Sequence, residues 1–568
     1  MQITFSIENT NQRYIQIEAK IKTARDKTTV HLPSWRPGRY ELANFAKNIR
    51  NFKILDSSNK ALAFDKLNKD TWEVDSKSVN EITVTYQFFA NELNAGSTYV
   101  DEQQLYVNPV NCCVYTEEVY NEPVLINLNV PKHWDMATSL KEENGSWMAE
   151  NVEELLDSPF ISSCQLQHNS YESNGVLFHV WFNGEIKPDW DRLIVDFKKF
   201  TDSQIEKFTE FPVSEYHFIN QILPTKSYHG VEHQKSTVIS LGPSYDVFGP
   251  LYKELLGVSS HELYHTWNVK AIRPIDMYPY NFKEENYSKL GYICEGITTY
   301  QGDLFLLKSG VFNDQQYFDE LDAQMQRHFD NFGRFNYSVA ESSFDTWLDG
   351  YVPGAPGRKV SIYTEGCLLA FVTDVRIRKA TNNKQGLDDV MKRLYFNYAL
   401  QGKGVAEVDY QSTIEKLAGE SFQDLFDDYI NNNKPFESII VNSLDYLGLE
   451  LEHKPVDSFA GAKLGFKYAP SGSNFVIMAM YPGGPAEMGG LQSEDVILAV
   501  NGFACNGELD KWLAYFEEDT KTLTVDRKGV LHELTLPEVN RNFYMKYNVV
   551  KAKDPNSIQK RAFEHWSK

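Results

Sequence analysis

His261, Glu262 and His265 stand in the order His-Glu-Leu-Tyr-His inside a stretch, 251–269, whose apolar spacing is that of a helix. Residues four apart lie one turn above each other on the same face, so both imidazoles can reach one ion at about 2.0–2.1 Å from each nitrogen. Glu262, one position along, leans toward the ion's open side, where it can take a proton from bound water. With 13 histidines in 568 residues, the five-residue pattern arises by chance at roughly the few-per-cent level, so the reading needs a third donor.

Glu295 is the candidate: it follows His265 at a distance and heads another helical stretch, 295–308. A carboxylate there also complements a helix dipole, which is the ordinary reading of a lone glutamate. Beside His-Glu-x-x-His it completes a set of two histidines and one carboxylate, with Cys294 as the competing soft donor. Three protein donors leave a fourth position for water, the pattern of a catalytic rather than a structural zinc, and the natural chemistry is hydrolysis of an amide.

The elements that must hold these residues fall into blocks. Residues 1–167 alternate apolar and polar positions at 2–7, 14–21, 28–32, 71–74, 81–88 and 124–130, which predicts an all-β domain, a sandwich. Residues 168–441 predict a central α+β catalytic domain: strands at 176–182, 216–223 and 236–240 lead into a helical bundle at 251–269, 295–308, 315–329, 364–379 and 387–400. Residues 442–540 return to short strands and turns as a β domain, and 541–568 read as a polar, helical tail.

The run from His261 through Thr266-Trp267-Asn268-Val269-Lys270-Ala271-Ile272-Arg273-Pro274 resembles the zinc helix of the glycyl aminopeptidase-like, PDZ-containing metallopeptidases, a branch of the thermolysin-like gluzincins. Other landmarks fall in that family's order: Trp35-Arg36-Pro37-Gly38, Asp157-Ser158-Pro159, Glu295-Gly296 and Thr298-Thr299-Tyr300. The resemblance covers nearly the whole chain and implies a thermolysin-like catalytic domain with Glu295 as third zinc ligand. His229-Gly230-Val231-Glu232-His233 resembles the substrate motif Gly-Gly-Leu-Glu-His, whose carboxylate holds a free α-amine. That makes Glu232 the amine anchor, with His229, Gly230 and His233 beside the substrate and His229 in place of a family glycine. Tyr363-Thr364-Glu365-Gly366 resembles a Tyr-x-Lys-Gly element in which the tyrosine donates to the oxyanion; Glu365 stands where the family has lysine.

Residues 481–491 and 495–502 look like a PDZ domain, a turn, a short helix and a strand ending in Asn-Gly. Leu464-Gly465-Phe466 would be its carboxylate loop, receiving a peptide C terminus on backbone amides.

Composition sets the limits. Lys plus Arg number 56 against 78 Asp plus Glu, a formal net charge of −22 without a basic cluster, which argues against a nucleic-acid partner. The longest apolar stretches, near 474–481 and 367–373, are far short of the roughly 18–20 residues of a membrane span. Six cysteines without C-x-x-C spacing read as free thiols. The start lacks a basic leader, so a cytoplasmic protein is expected unless a leader was trimmed. The expectation is a zinc aminopeptidase acting on peptides with a free N terminus, small residues such as glycine or alanine being the family's implication, with homo-oligomerisation left open. The rivals are an endopeptidase on the same zinc, and a PDZ-centred peptide-binding protein with a vestigial metal site.

Overall fold

Alternation is what builds the N-terminal region of the computed structural model, which describes all 568 residues. Strand Tyr14–Lys22 turns Ile15, Ile17, Ala19 and Ile21 inward and its polar residues outward. It pairs antiparallel with Gln2–Ser6, which pairs parallel with Val124–Asn129, in the middle of a seven-stranded sheet. A four-stranded and a three-stranded sheet complete this β-rich region. From it projects the turn at Trp35-Arg36-Pro37-Gly38, where Gly38 takes φ +75°. Trp35 is fully buried among Tyr40, Tyr280, Phe282 and Trp347, and its indole Nε1–H donates to Asn281 O at 2.8 Å. The turn is thereby clamped onto the catalytic region.

That region is built on a five-stranded sheet in the order Gln167–Ser173, Val176–Asn183, Glu215–Ile222, Ser236–Gly242, Ser227–Glu232. Its three middle strands run parallel, and the edge strand Ser227–Glu232 runs antiparallel to its neighbour. Phe178, Val180 and Phe182 are fully buried on one face; helix Trp190–Phe208 buries Leu193, Phe197 and Phe200, with Phe197 meeting Phe218 edge-on at 5.0 Å. Helix Tyr252–His265 packs on the edge strand, and helix Thr298–Lys308 lies against it. That second contact is close because Gly302 has no side chain: a Cβ there would stand 2.9 Å from the His261 Cα.

The chain divides into two compact units, one of Met1–Tyr317, Asn331–Leu447 and Asn556–Lys568, the other of Phe318–Asp330 and Gly448–Pro555. Within the second, Phe466–Ser471, Asn474–Met480, Val496–Val500, Lys521–Arg527 and Val530–Leu536 form one sheet over a core that includes Phe466, Ile477, Ile497, Leu513 and Val525. The expected helical tail differs from what is found. Met545–Lys551 is a strand paired antiparallel with Leu449–Pro455, and only Ser557–Ser567 is helix. The strand escapes sequence reading because a polar, solvated edge strand leaves little apolar alternation to detect. No helix is long and apolar enough to cross a membrane.

Candidate active site

Helix Tyr252–His265 ends at the second histidine, four residues short of the sequence expectation. Val269 at φ +95° then turns the chain away, an unfavourable conformation for a β-branched residue. Beyond the helix, Asn268 O lies 2.8 Å from His265 Nδ1. A carbonyl only accepts, so Nδ1 carries the proton and Nε2 presents a lone pair to the cleft. His265 Nε2 lies 3.0 Å from His261 Nε2 and 3.4 Å from Glu295 Oε2, and His261 Nε2 lies 3.9 Å from the same oxygen. A tetrahedral ion with bonds of about 2.0–2.1 Å holds its ligands roughly 3.3 Å apart, close to the mean of that triangle.

Glu295 sits in a π-helical turn, Tyr292–Ile297, that runs into helix Thr298–Lys308. The sequence reading placed it at a plain helix start; the wider turn is a common device for redirecting a side chain at a functional site. The side-chain amide of Asn268 fastens that turn to the histidine helix, donating to Ile293 O at 2.8 Å, Cys294 O at 3.2 Å and Thr298 Oγ1 at 3.0 Å. Tyr363, in the first turn of helix Ile362–Ala380, donates to the Glu295 carboxylate.

Glu232 closes the other side. Its carboxylate, that of Glu262 and an imidazole nitrogen of His265 lie within 4.8 Å of one another. Two glycines make room: a Cβ at Gly230 would collide with the Glu262 carboxylate, and one at Gly38 with that of Glu232. Glu232 Oε1 and Glu262 Oε2 are buried without a hydrogen-bond partner. Burial and the neighbouring carboxylates Glu232 and Glu295 push Glu262 well above the usual range, and burial raises Glu295. Burial alone would lower His265, but Glu295, Glu232 and Glu262 outweigh it and lift the imidazole to about 10. The pocket thus draws positive charge, a proton on His265 Nε2 or a cation in its place, to the point where Nε2 of the two histidines and Glu295 converge. A divalent cation supplies that charge with the donor set it prefers, so these residues fit a metal.

The other expected site residues divide. Pairing puts His229 with Val231 on the face opposite Gly230 and Glu232, away from helix Tyr252–His265, because side chains alternate along a strand. Burial, then Arg36 and Arg39, push it down to about 4, so it is neutral. His233 donates Nδ1–H to Asp157 Oδ1 at 3.0 Å. Asp157 also takes Lys270 Nζ at 2.8 Å and the Gln234 amide at 2.8 Å, tying the strand end beside Glu232 to the segment after the histidine helix. Lys270 and His233 hold its carboxyl well below the ordinary range although burial opposes them. Asn268 and Asp157 both lie in segments the sequence reading quoted, but their roles depend on contacts that spacing does not encode.

A second cluster, His179, Glu215 and His217, has donor atoms within 4.8 Å of one another. There the indole Nε1–H of Trp181 donates to His217 Nδ1 at 3.1 Å. The neutral ring must therefore carry its proton on Nε2, the atom that faces Glu215 Oε1 at 3.3 Å, which leaves no lone pair for a metal.

In the second unit, Leu464 ends a π-helical turn, Ala460–Leu464, and the Gly465 amide is already donated to Ala460 O. The backbone amides of Phe543 and Tyr544 donate to Ala462 O at 3.0 Å and Gly461 O at 3.3 Å. With the Gly465 donor engaged and the chain's own segment lying along the loop, Leu464-Gly465-Phe466 does not form the open amide cradle expected of it.

Family models match three segments: the Peptidase M61 N-terminal domain at residues 2–164, the M61 glycyl aminopeptidase at 254–369 and a PDZ domain at 476–527. No curated protein matches the chain. Among solved structures, an aminopeptidase N family protein from Idiomarina loihiensis is similar in fold, with 24% identity, 100% of both chains covered and a TM-score of 0.90. An M1 zinc metallopeptidase from Deinococcus radiodurans is more distant, with 12% identity, 76% of this chain and 94% of that chain covered, and a TM-score of 0.45.

Proposed function

This chain belongs to the M61 glycyl aminopeptidase family, and from that premise we propose that it is a zinc aminopeptidase removing single residues from the free N termini of peptides. The observation that carries the reading is the placing of Glu232, its Oε1 buried and unpartnered, within 4.8 Å of donor atoms of Glu262 and His265. An exopeptidase needs a carboxylate for the α-ammonium at a fixed distance from its hydrolytic centre, and this is such a carboxylate.

In this reading His261, His265 and Glu295 hold zinc, which supplies a Lewis acid that brings the pKa of water from 15.7 toward about 7 and polarises the scissile carbonyl. Glu262 takes the proton from the attacking water and passes it to the leaving amine. Tyr363 donates its hydroxyl to the oxyanion as charge develops there, a contribution of about 2.7–4 kcal/mol for a well-placed donor. Asn268 keeps His265 in the tautomer whose Nε2 is free, and Asp157 holds the strand end that carries Glu232. Three buried carboxylates, Glu232, Glu262 and Glu295, are balanced by a divalent ion and one substrate ammonium, so amine-bearing substrates complete the charge of the pocket. The Leu464-Gly465-Phe466 loop has no part in this proposal.

The test is a set of Xaa-p-nitroanilides, each with a free and an acetylated amine, assayed with protein of measured zinc content. Free amines are hydrolysed and acetylated ones are not, and Glu262→Gln keeps its zinc while losing about 10²–10⁴-fold in kcat. Equal cleavage of acetylated substrates makes the chain an endopeptidase. Undiminished turnover by Glu262→Gln removes the hydrolytic assignment altogether.

A further inference from the structure

The N-terminal turn is fixed where it begins. Ser34 donates its amide to Phe282 O at 2.8 Å and its hydroxyl to Asp70 Oδ2 at 2.6 Å, and the Trp35 indole donates to Asn281 O at 2.8 Å. Its far end is held from the catalytic region by Tyr351, which follows the short helix Thr346–Asp349. The Tyr351 hydroxyl accepts the Tyr40 amide at 3.1 Å and donates to Gly38 O at 3.4 Å, so one group takes up the backbone on either side of Arg39. The Arg39 guanidinium lies over the same ring, 4.9 Å from its centre.

What that hydroxyl holds is the wall behind the amine anchor. Gly38 stands so close to the Glu232 carboxylate that a Cβ on it would fall on Oε2 first. Oε2 is thereby backed by the turn, while Oε1 is the buried oxygen without a hydrogen-bond partner, the one left for an ammonium. Where contact sets the direction of a carboxylate, the direction lasts only while the wall stays in place. Tyr351 also lines, together with Tyr363, a cavity of about 300 Å³, so it stands beside the proposed oxyanion donor as well as behind the anchor.

We propose that Tyr351 is a positioning residue for the substrate's α-ammonium: by holding the backbone of Gly38 and Tyr40 it keeps the turn against Glu232 and Oε1 directed at the amine. The proposal rests on the aminopeptidase reading and adds to it a group that touches neither the ammonium nor the metal. The wall of the amine site is then a turn of the N-terminal region that the catalytic region grips. Loss of the phenol leaves the charge of Glu232 as it is and changes only its direction. Arg39 is not required, because its contact is with the ring and not with the hydroxyl.

Two hydroxamates read that direction. L-Alanine hydroxamate and propionohydroxamate present the same metal-binding group and differ in the α-amine. The ratio of their affinities for the zinc-loaded full chain, measured by calorimetric titration, therefore isolates the amine contact. A partly unfolded or partly loaded sample affects both alike and leaves the ratio unchanged. Tyr351→Phe, which keeps the ring and its contact with Arg39, lowers the ratio by about 3–10-fold, the range of the hydrogen bonds removed. On Ala-p-nitroanilide the same variant raises KM by that factor while kcat holds. Arg39→Met leaves the ratio as it is. In a Glu232→Gln background Tyr351→Phe has no further effect on the ratio, the non-additivity of a residue that acts through another. A full ratio in Tyr351→Phe, or an equal loss for both hydroxamates, overturns the proposal and assigns Tyr351 to the fold alone. A further fall when it is added to Glu232→Gln overturns it as well, since the phenol would then act on the amine without Glu232. If the parent protein does not itself distinguish the two hydroxamates, the aminopeptidase reading fails and the proposal falls with it.

Discussion

Gly296 and Gly366 meet backbone to backbone: a Cβ added to Gly366 would stand 2.7 Å from the Gly296 Cα and 2.7 Å from Tyr292 O. One glycine follows Glu295 and the other lies one turn after Tyr363, so their contact sets the distance between the carboxylate and the phenol that donates to it. Gly366→Ala must push the two segments apart, and overpacking of this kind costs about 1–3 kcal/mol. Thermal unfolding of the variant is expected to show that loss together with a fall in zinc content. Gly257→Ala is the control, since it lies in helix Tyr252–His265 with nothing within 4 Å of an added Cβ. There the exchange should stabilise by roughly 0.5–1 kcal/mol. Equal Tm values for the two variants would refute the argument from close approach.

Asn268 joins the two halves of the metal centre, through its carbonyl to His265 Nδ1 and through its amide to the turn bearing Glu295. Asn268→Ala removes the amide but leaves the backbone carbonyl. The expected outcome is therefore a loosened Glu295 turn with His265 still correctly protonated. Zinc affinity, measured by competition with a chelator, should fall by about 10–100-fold. Asn268→Asp should do as badly, because its carboxylate would face Ile293 O and Cys294 O, which only accept. Unchanged affinity in both would remove the positioning role.

Much of this was legible before any coordinates. His261, Glu262 and His265 declare themselves by helical spacing, and Glu295 by its residue type and the element it opens. The central strands are apolar, β-branched and aromatic, and their burial in a mostly parallel sheet follows from that. What could not be read depended on faces and on partners distant in sequence. His229 and Glu232 share one short motif, yet alternation sends them to opposite sides of the strand. Arg36 is remote from Glu232 in sequence, and no periodicity announces that its turn reaches the cleft. Leu464-Gly465-Phe466 has the composition of an amide cradle, but the donor of Gly465 is engaged by Ala460, which only the turn geometry reveals.

Acid should weaken the fold through the imidazoles of His168, His179 and His217, which lie on three adjacent strands. Burial lowers all three below their ordinary 6.5, and His217 cannot take a second proton without surrendering the Trp181 bond to Nδ1. Since the folded values are the lower ones, this contribution is complete above about pH 6.5. It is lost as pH falls, because the unfolded chain then binds protons the native state resists. Glu215, held down at about 2 chiefly by its hydrogen bond from His217, begins to matter only below its ordinary 4.5. Between pH 6.5 and 4.5 the three imidazoles therefore act before Glu215 does, and the His217 variant separates their share from that of His31, His229 and His261, which burial also lowers. Urea midpoints are expected to decline across it, and less steeply in His217→Gln. Parallel profiles for the two proteins would exclude this cluster as the source.

The C-terminal helix Ser557–Ser567 should be needed for the metal centre although it lies far from it in sequence. Trp566 is fully buried, packs edge-on against Tyr317 at 5.3 Å and Phe371 at 6.2 Å, and donates its indole Nε1–H to Tyr300 Oη at 2.8 Å. Tyr300 in turn donates to Asp374 at 2.7 Å, and Asp374 is held by Arg378 at 3.0 Å. Tyr300 belongs to the helix that continues from the Glu295 turn, and Asp374 to the helix that begins at Tyr363, so one indole locks together the elements carrying both groups. Trp566→Ala leaves a cavity and removes the donor to the Tyr300 hydroxyl, a loss of about 3–5 kcal/mol. Trp566→Phe keeps most of the packing and forfeits the hydrogen bond, about 0.5–1.5 kcal/mol. Denaturant titration should rank wild type, Trp566→Phe and Trp566→Ala in that order, with zinc retention following the same rank. Retention that is independent of the rank would show that this helix stabilises the fold without governing the relation of Glu295 to Tyr363.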